Sequence, residues 1–370
     1  MINQLRRGIV AVVCMTIALG CAAPASAALR AVAFVSPTIG WIAGDGVIYG
    51  TNDGGHTWQQ QYKGRYQIWS LSFVSSTTGF AAAVDPIPGV GALLTTHDGG
   101  RTWARAGEPR NPARQISFAN TLKGFAMAGG SQLASSMPER VPAFFGGRLA
   151  TTADSARSWR MLDSPLLVDT TCASDPTHVW AAYQAAVLRS DDGGDSFSNV
   201  LSPIVDTKRI WYATIECAGA NVAWVQFAGA ASGDQRPYVV FRTIDGGQSW
   251  APVLANKKTT DAYPQLAATY GDVPGPWPGP FSVVDANSAF FLGACPQCGA
   301  RGAISITATN DGGKTWQPIS TVPDVTLAGP VAISFADAQH GWVVGSSSAG
   351  APVVAATWDG GMTWSKQVIK

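Results

Sequence analysis

Residues Thr51–Trp58 read TNDGGHTW, and this phrase decides the fold because it occurs seven times along the chain. Its pattern is Ser/Thr-x-Asp-x-Gly-x-Thr/Ser-Trp. The copy at Thr152–Trp159 (TADSARSW) has lost both glycines, and the copy at Ser190–Phe197 ends in phenylalanine. Repeats separated by tens of residues are typical of solenoids and propellers. The aspartates of the seven copies are Asp53, Asp98, Asp154, Asp192, Asp245, Asp311 and Asp359.

The chemistry of this phrase predicts a self-contained turn, which we call an Asp turn. A short aspartate side chain accepts hydrogen bonds from backbone N–H groups of its own turn. Glycine supplies the positive φ that residues with a Cβ resist, and the closing tryptophan gives a large face for packing. Seven equivalent copies cannot all be active sites, because function resides in sites placed on a fold and not in its repeats. We therefore interpret the seven aspartates as structural.

A second pattern accompanies the Asp turns. Ahead of each turn lies a β-rich run, a spacer of seven or eight residues and a further aromatic residue. Apolar β-branched runs bounded by Gly, Asp and Asn predict strands. Each unit therefore contains four strands, A to D, with the Asp turn between strands C and D. The paired positions on strands A and B are Phe34/Trp41, Phe73/Phe80, Phe118/Phe125, Cys172/Trp180, Cys217/Trp224, Val283/Phe290 and Phe335/Trp342.

The predicted fold is an all-β, seven-bladed β-propeller of four-stranded antiparallel blades. Composition agrees, because glycine is abundant (41 residues) and charged residues are few (13%). No strand is left over for exchange between the termini, so we expect closure by side-chain packing between the first and last blades. We predict one propeller domain over residues 28–370, after a signal peptide at 1–27. The predicted blades are 28–63, 64–108, 109–163, 164–203, 204–256, 257–322 and 323–370.

The N-terminal segment predicts export. Arg6 and Arg7 precede an apolar stretch over residues 8–20, and the small residues 25–27 (Ala-Ser-Ala) follow. This is the arrangement of a secretory signal with cleavage after Ala27, which predicts a periplasmic or secreted protein. The alternative is cleavage before Cys21, which would leave a lipid-anchored N-terminus. We favour cleavage near Ala27, because a lipoprotein signal prefers a branched aliphatic residue where Ala18 stands.

Charge argues against nucleic acid as a partner. The whole chain has 25 Lys and Arg against 24 Asp and Glu, a formal net charge of +1. Removal of the predicted signal takes away Arg6 and Arg7 only, which leaves 23 against 24 and a net charge of −1. Binding to nucleic acid depends on neutralising many phosphates with Lys and Arg, and a neutral chain offers no such excess.

Four cysteines remain after the predicted cleavage, an even number that suits an oxidising compartment. Cys172 and Cys217 lie on the inner strands of blades four and five, so a disulfide between neighbouring blades is one interpretation and two buried thiols are the other. Cys295 and Cys298 form a CxxC in a predicted loop. A zinc site needs four ligands and no second pair supplies them, so we interpret this CxxC as a loop disulfide. We predict neither a metal nor a cofactor.

The Asp turns are preceded by further motifs, GWIAG at Gly40–Gly44 and GWVVG at Gly341–Gly345. Together with DGGxTW, these stretches resemble the photosystem II assembly factor family and its bacterial relatives, over nearly the whole mature chain. The resemblance implies a seven-bladed propeller with an Asp-box in each blade, a non-catalytic binding role and an arginine-rich patch. The Asp-box also occurs in sialidases, sortilin-type receptors and xyloglucan hydrolases. It is therefore specific for the fold and not for a function.

The lengths of the connections indicate which face of the propeller is functional. The Asp turns join strands C and D and are short, whereas most of the long segments join strands B and C on the opposite face. Loops on one face of a rigid scaffold commonly carry binding groups. The alternative is that they only cover the channel mouth. The long segments are 85–91, 130–147, 229–237, 256–280, 293–302 and 346–351, and their aromatic residues include Phe144, Phe145, Tyr263, Tyr270 and Trp277.

Cations are predicted at the same face, where the inner strands begin. Arg65, Arg114 and the pair Lys208 and Arg209 lie there, together with Asp169. Guanidinium groups pair with carboxylates in a bidentate manner, so such a set would bind acidic peptide segments. The alternative is a set of solvated strand ends, each paired with a nearby aspartate.

An enzymatic function is disfavoured. A sialidase-like site needs a tyrosine nucleophile with a glutamate partner, and the chain has only Glu108, Glu139 and Glu216. Glu216 lies near the far end of its strand, away from the predicted functional face. We therefore predict a monomeric, non-catalytic propeller that engages a protein or membrane-complex partner through its long-loop face. The alternative is a glycan-binding or sialidase-like glycoside-hydrolysing propeller.

Overall fold

The computed structural model describes residues 28–87, 89–129, 131–132, 144–145, 147–162, 167–183, 186–202, 211–230, 236–256, 259, 275–294, 303–327 and 329–369. The predicted signal segment lies outside this range. Among the described residues, no helix is long and apolar enough to cross a membrane.

The described strands form seven four-stranded antiparallel units, the blades of a β-propeller. The first two blades share a continuous strand, which runs through the predicted boundary at residue 63. A tight turn at Gly46 (φ 75°) lets one strand serve as both B and C of blade 1. The strands of blades 1 and 2 are β1 (Leu29–Phe34), β2 (Gly40–Thr51), β3 (Gln59–Phe73), β4 (Gly79–Val84), β5 (Gly91–Thr96) and β6 (Ala104–Ala106).

The remaining blades follow the same meander, and a two-stranded ribbon of β9 and β10 is inserted in blade 3. Blade 3 has β7 (Ala113–Phe118), β8 (Gly124–Ala128), β9 (Ser131–Gln132), β10 (Phe144–Phe145), β11 (Arg148–Thr152) and β12 (Arg160–Met161). Blade 4 has β13 (Thr170–Ala173), β14 (Val179–Tyr183), β15 (Ala186–Ser190) and β16 (Ser198–Leu201). Blade 5 has β17 (Trp211–Cys217), β18 (Ala223–Gly229), β19 (Tyr238–Thr243) and β20 (Ala251–Ala255).

Blades 6 and 7 are joined through the end of β24, which also pairs with β26. Blade 6 has β21 (Pro278–Val283), β22 (Ala289–Ala294), β23 (Ala303–Thr309) and β24 (Gln317–Thr326). Blade 7 has β25 (Ala332–Phe335), β26 (Gly341–Ser346), β27 (Pro352–Thr357) and β28 (Ser365–Gln367). The B strands are mostly apolar because neighbouring blades cover both faces, and all seven residues of β18, Gln226 among them, are buried.

Aromatic residues of these pairs stack between blades, with the A-strand ring of one blade on the B-strand ring of the blade before it. Phe34 of β1 lies on Trp342 of blade 7, with ring centroids 3.4 Å apart, and Phe73 lies on Trp41 in the same way. Phe118 with Phe80 and Phe335 with Phe290 repeat this contact. Each of these A-strand phenylalanines also covers the glycine that opens its own B strand. A Cβ at Gly40 would lie 2.3 Å from the Phe34 ring, which explains why Phe and Gly occur together.

Blades 4, 5 and 6 replace this phenylalanine with a smaller residue: Ala173, Cys217 or Val283. In these places a cation lies over the aromatic ring of the preceding blade, which gives a cation–π contact where the other junctions have a stacked pair. The distances from cation to ring centroid are 5.0 Å for Lys123 and Phe125, 4.7 Å for Arg189 and Trp180, and 5.5 Å for Arg242 and Trp224.

The inner strands are joined by a ring of hydrogen bonds, which we call the inter-blade ring. A side chain one residue before the end of strand A accepts the N–H of the last residue of strand A in the next blade. Ser72 accepts from Phe118 at 3.0 Å and Ser282 from Phe335 at 3.0 Å. The other acceptors and donors are Ser117 and Ala173, Cys172 and Cys217, Glu216 and Val283, and Ser334 and Phe34.

The propeller closes through side chains and not through a shared strand. Ser334 of blade 7 accepts the N–H of Phe34 at 3.2 Å, and the Trp342 indole donates to the Gly54 carbonyl at 2.8 Å. A buried cluster beside them joins the first and last blades. Its members include Leu29, Ile42, Trp58, Val344 and Val354.

Ala33 is the one member of the inter-blade ring that has no side-chain acceptor among the described residues. We expect Ala33→Ser to place a hydroxyl opposite the N–H of Phe73, as Ser72 does for Phe118. One added hydrogen bond should raise the free energy of unfolding by about 1 kcal/mol. Urea unfolding of the variant, with Ala31→Ser on the same strand as the control, measures this. An Ala33→Ser variant no more stable than the wild type would contradict it.

The seven Asp turns share one hydrogen-bond pattern. In the second turn, Asp98 Oδ1 accepts the N–H of Thr102 at 2.9 Å and Oδ2 accepts its hydroxyl at 2.6 Å. The Thr102 hydroxyl and then its N–H lower the pKa of Asp98 to about 2. The pKa values of the other six turn aspartates are lowered too. In each turn, the carboxylate oxygens already accept hydrogen bonds from residues of the same turn.

Cys172 and Cys217 form a disulfide between blades 4 and 5, with Cα atoms 5.9 Å apart. The sequence alignment of the two cysteines is wrong by one residue. Ala173, not Cys172, pairs with the first residue of β14, whereas Cys217 pairs with the first residue of β18. Cys172 therefore occupies the serine position of the inter-blade ring, and its sulfur also accepts the N–H of Cys217 at 3.1 Å. Cys295 and Cys298 lie outside the described residues.

Candidate functional site

The inner strands all begin at one end of the propeller, which is also where strands B and C connect. We call this end the long-loop face and the opposite end the Asp-turn face. Asp45 and Asp85 mark two of these B–C connections, and the described A strands start beside them. Side chains from successive blades therefore meet around the channel mouth on the long-loop face.

Three β-bulges shape the start of the first three inner strands. The register shifts at Arg30 in β1, at Trp69 in β3 and at Arg114 in β7, so each of these residues is the extra residue of a bulge. A bulge turns a side chain away from its regular direction and is common beside functional sites. The three residues occupy the same position in successive blades.

The bulged residues contact one another. The Arg30 guanidinium carbon lies 4.7 Å from the centre of the Trp69 ring, and that of Arg114 lies 5.4 Å from it. Arg30 is also held by Asp45, whose two carboxylate oxygens accept from Nε at 3.0 Å and Nη2 at 3.2 Å. Burial lowers the pKa of Arg114, although a guanidinium stays protonated in proteins. The result is an indole with two cations, which we call the Arg–Trp cluster.

Arg65 extends this positive region outward. Its Nε lies 2.7 Å from Asp85 Oδ2, and its guanidinium carbon lies 5.3 Å from the centre of the Tyr66 ring. The Asp85 side chain is 2% exposed and also accepts the N–H of Ile87, whereas the Arg65 side chain is 65% exposed. The buried carboxylate holds one edge of the guanidinium, and the rest faces solvent.

Asp169 occupies the position of the Arg–Trp cluster residues in blade 4. It is buried, and its Oδ2 accepts the N–H of Ala213 in blade 5 at 3.1 Å. This carboxylate therefore joins two blades, which gives it a structural role at the edge of the face.

Trp277 does not fit its predicted role as an exposed contact residue. The side chain is buried, and its ring centre lies 5.1 Å from the guanidinium carbon of Arg236. Arg236 is itself buried and also lies over Tyr212, at 5.2 Å. The tryptophan ring packs on this cation and on the buried cluster of blades 6 and 7 that contains Leu327.

The other predicted contact residues fall largely outside the described residues. Lys208, Arg209, Tyr263 and Tyr270 are among these. Phe144 and Phe145 form β10, which pairs with β9, and only their backbone is described. Of the predicted cations, Arg65 and Arg114 are therefore the two that the structure places at the long-loop face.

Several described carboxylates that could serve a glycosidase already have partners. Asp45 binds Arg30, Asp85 binds Arg65 and Glu108 binds Arg105. Glu216 belongs to the inter-blade ring near the Asp-turn face. Across the described part of the chain, no group of three His, Cys, Asp or Glu could hold a metal ion.

Arg30 and Trp69 were missed by the sequence prediction, although a signal for them exists. Each lies four residues before the phenylalanine that ends its A strand, as Arg114 lies four residues before Phe118. The structure shows that this spacing marks the bulge position. Alignment of the A strands on that phenylalanine would have selected all three residues.

Comparison with solved structures extends this description. The structure titled YCF48 bound to D1 peptide superposes with a TM-score of 0.56 at 17% identity, covering 91% of this chain and 94% of that one. YCF48 from Cyanidioschyzon merolae gives 0.57 at 16% identity, covering 91% and 97%. This chain has a YCF48-like propeller fold. No family model matches it, and none of the curated proteins does.

The YCF48-like fold is also shared with enzymes. The GH74 xyloglucanase from Xanthomonas campestris superposes with a TM-score of 0.60 at 12% identity, covering 93% of this chain and 55% of that one. These identities establish a common architecture only. The function of this YCF48-like propeller therefore has to be argued from its own residues.

Proposed function

We propose that this protein is a non-catalytic binding propeller that engages a protein partner through its long-loop face. The Arg–Trp cluster carries the proposal, because it places two guanidinium groups and an indole at one channel mouth. Aromatic residues and arginine are enriched at protein interfaces, where they dominate the binding energy. The similarity to YCF48 bound to a D1 peptide supports a polypeptide as the ligand class.

The cluster favours a segment with carboxylates. The Arg30 fork is already paired with Asp45, so Arg114 and the largely exposed Arg65 on the same face would supply the guanidinium groups, which pair with carboxylates through two parallel hydrogen bonds. The Trp69 ring would pack against an apolar side chain of the same segment. An acidic peptide with an apolar residue therefore matches this face best.

The cellular setting is part of the proposal. A signal peptide at residues 1–27 would deliver a monomer to the periplasm or the exterior, and cleavage before Cys21 would give a lipid-anchored form instead. The disulfide between Cys172 and Cys217 supports an oxidising compartment, where such bonds persist. The partner would then be an exported protein or a membrane complex.

The glycan-binding or glycoside-hydrolysing alternative is weaker at this face. A glycosidase needs two carboxyl groups at a set separation across the scissile bond. Asp45, Asp85 and Asp169 are each held by a partner in the structure. The likeness to GH74 enzymes concerns the fold alone.

Removal of the two cluster arginines should abolish partner capture. We expect the double variant Arg30→Gln and Arg114→Gln to recover at least about tenfold less partner than wild type in cells, since interface arginines contribute 1.4 kcal/mol or more. The tagged mature protein is crosslinked in its host and the captured proteins are quantified. Thermal unfolding of the variant is measured alongside to check that it folds.

The matched control removes two charges from the Asp-turn face, with Arg101→Gln and Arg157→Gln, both exposed. This control should capture the partner as wild type does. Equal capture by wild type and by the cluster variant would contradict the proposal. Oligosaccharide binding that the cluster variant loses, with no captured protein, would favour the glycan alternative at this face.

A further inference from the structure

A crevice opens between blades 6 and 7 on the Asp-turn face, opposite the proposed partner site. It encloses about 400 Å³. Its lining includes the buried Phe290, the partly buried Ile319 and four exposed residues, Asn310, Gln317, Gln339 and Met362. This volume is within the range of pockets that hold small ligands.

At three other blade junctions a long side chain reaches the neighbouring Asp turn. At the junction of blades 4 and 5, Arg189 lies over Trp180, and its guanidinium sits against the Gly246 turn. Arg242 sits against Gly312 in the same way at the next junction. Between blades 1 and 2, the Gln61 amide donates to the Gly99 carbonyl at 3.1 Å.

Blade 6 has Ala308 where blades 4 and 5 have these arginines. The residue directly before the first Ser or Thr of the Asp turn is Arg189, Arg242 or Ala308 in the three blades. Ala308 has only a methyl group at this point, and the Phe335 ring of blade 7 stacks on Phe290 where the other two junctions have a guanidinium over the ring. The equivalent crevice of blades 4 and 5 encloses about 300 Å³ and contains the Arg189–Asp191 ion pair.

The crevice lining offers no available charge to a ligand. Asp359 is the one charged residue in its lining, and its oxygens accept from Thr357 and Thr363 within the Asp turn. The amide groups of Asn310, Gln317 and Gln339 make no hydrogen bonds within the described part of the chain. Each amide offers one acceptor and two donors to a ligand.

We propose that this crevice binds a neutral oligosaccharide. Sugar hydroxyls both donate and accept, which matches the three amides, and the C–H faces of a pyranose match Ile319, Pro318 and the exposed Met362 side chain. The absence of an available charge in this lining disfavours phosphates and acidic segments, which suit the long-loop face. The site is separate from the proposed partner site and does not depend on it.

Titration of the mature protein with cellobiose, maltose and N,N′-diacetylchitobiose, followed by saturation-transfer NMR, tests the proposal. We expect at least one probe to bind the wild type. Ala308→Arg should weaken that binding by about tenfold or more, because it introduces into the crevice lining the long side chain that blades 4 and 5 have at this position. Gln339→Ala should weaken it as well. Gln248→Ala, in the crevice of blades 4 and 5, is the control and should have no effect.

Thermal unfolding confirms that Ala308→Arg folds, and Gln339→Ala provides a second variant if it does not. No binding of any probe to the wild type would overturn the proposal, as would binding that neither variant changes. Binding of a peptide in the crevice, blocked by Ala308→Arg while the sugars fail, would replace the saccharide with a polypeptide ligand. Partner capture through the long-loop face should be the same in Ala308→Arg and wild type.

Discussion

Glu216→Gln is expected to stabilise the protein at pH 8 by on the order of 3 kcal/mol. Burial raises the pKa of the Glu216 carboxyl to about 8, against the opposing hydrogen bond from the N–H of Val283. The Glu216 side chain keeps some accessible surface and joins blades 5 and 6 through its hydrogen bond to Val283. A neutral amide can accept the same N–H without the cost of burying a charge.

The direction of the pH dependence follows from the raised pKa. Between pH 4.5 and about pH 8, the folded state holds a proton on Glu216 that the unfolded state has released. The stabilisation that comes from this difference in proton binding is therefore fully present below pH 4.5 and is lost as the pH rises towards 8. Glu216→Gln should remove that loss.

Urea unfolding at pH 5 and pH 8 measures the effect. The wild type should lose stability between these values, and Glu216→Gln should lose much less. Glu108→Gln is the control, because Glu108 pairs with Arg105 near the surface and should keep the wild-type dependence. The same slope in wild type and Glu216→Gln would show that the Glu216 carboxyl is ionised in the folded protein.

Loss of the inter-blade disulfide is the second large effect. Cys172→Ala with Cys217→Ala should cost about 3–4 kcal/mol, because the bond closes a loop with a sequence separation of 45 residues. Cys172→Ser with Cys217→Ala should recover about 1 kcal/mol of this. The serine hydroxyl would accept the N–H of residue 217, as Ser117 accepts that of Ala173.

Urea unfolding of both double variants under oxidising conditions provides the test, with reduced wild type as the reference. Equal stability of the two double variants would show that residue 172 contributes no hydrogen bond to the inter-blade ring. Equal stability of wild type and the alanine variant would show that the disulfide adds nothing.

Most of the fold was predictable because the Asp turn is a local structure. Each turn satisfies its aspartate within five residues, so the phrase specifies the same geometry wherever it occurs. The link between blades 4 and 5 was harder to place. Cys172 and Trp180 are eight residues apart where the other pairs are seven apart, and this extra residue indicates the offset of one that the β13 register shows.

The site was predicted only in part because it depends on bulges and on contacts between blades. Arg114 was identified from its place near a strand start, whereas the bulges that place Arg30 and Trp69 at the equivalent positions are seen only in the strand register. The cation–π contacts of Lys123, Arg189 and Arg242 escaped prediction for a similar reason. They replace a phenylalanine that belongs to the next blade.

Site-specific photo-crosslinking tests most directly whether the partner binds at the long-loop face. A photoreactive phenylalanine derivative is placed at Ile87 on the long-loop face or at Leu122 on the Asp-turn face, which are similarly exposed at 57% and 54%. The proposal predicts a crosslinked protein from position 87 that Arg30→Gln with Arg114→Gln abolishes, and none from position 122. The same protein crosslinked from position 122 alone would contradict it.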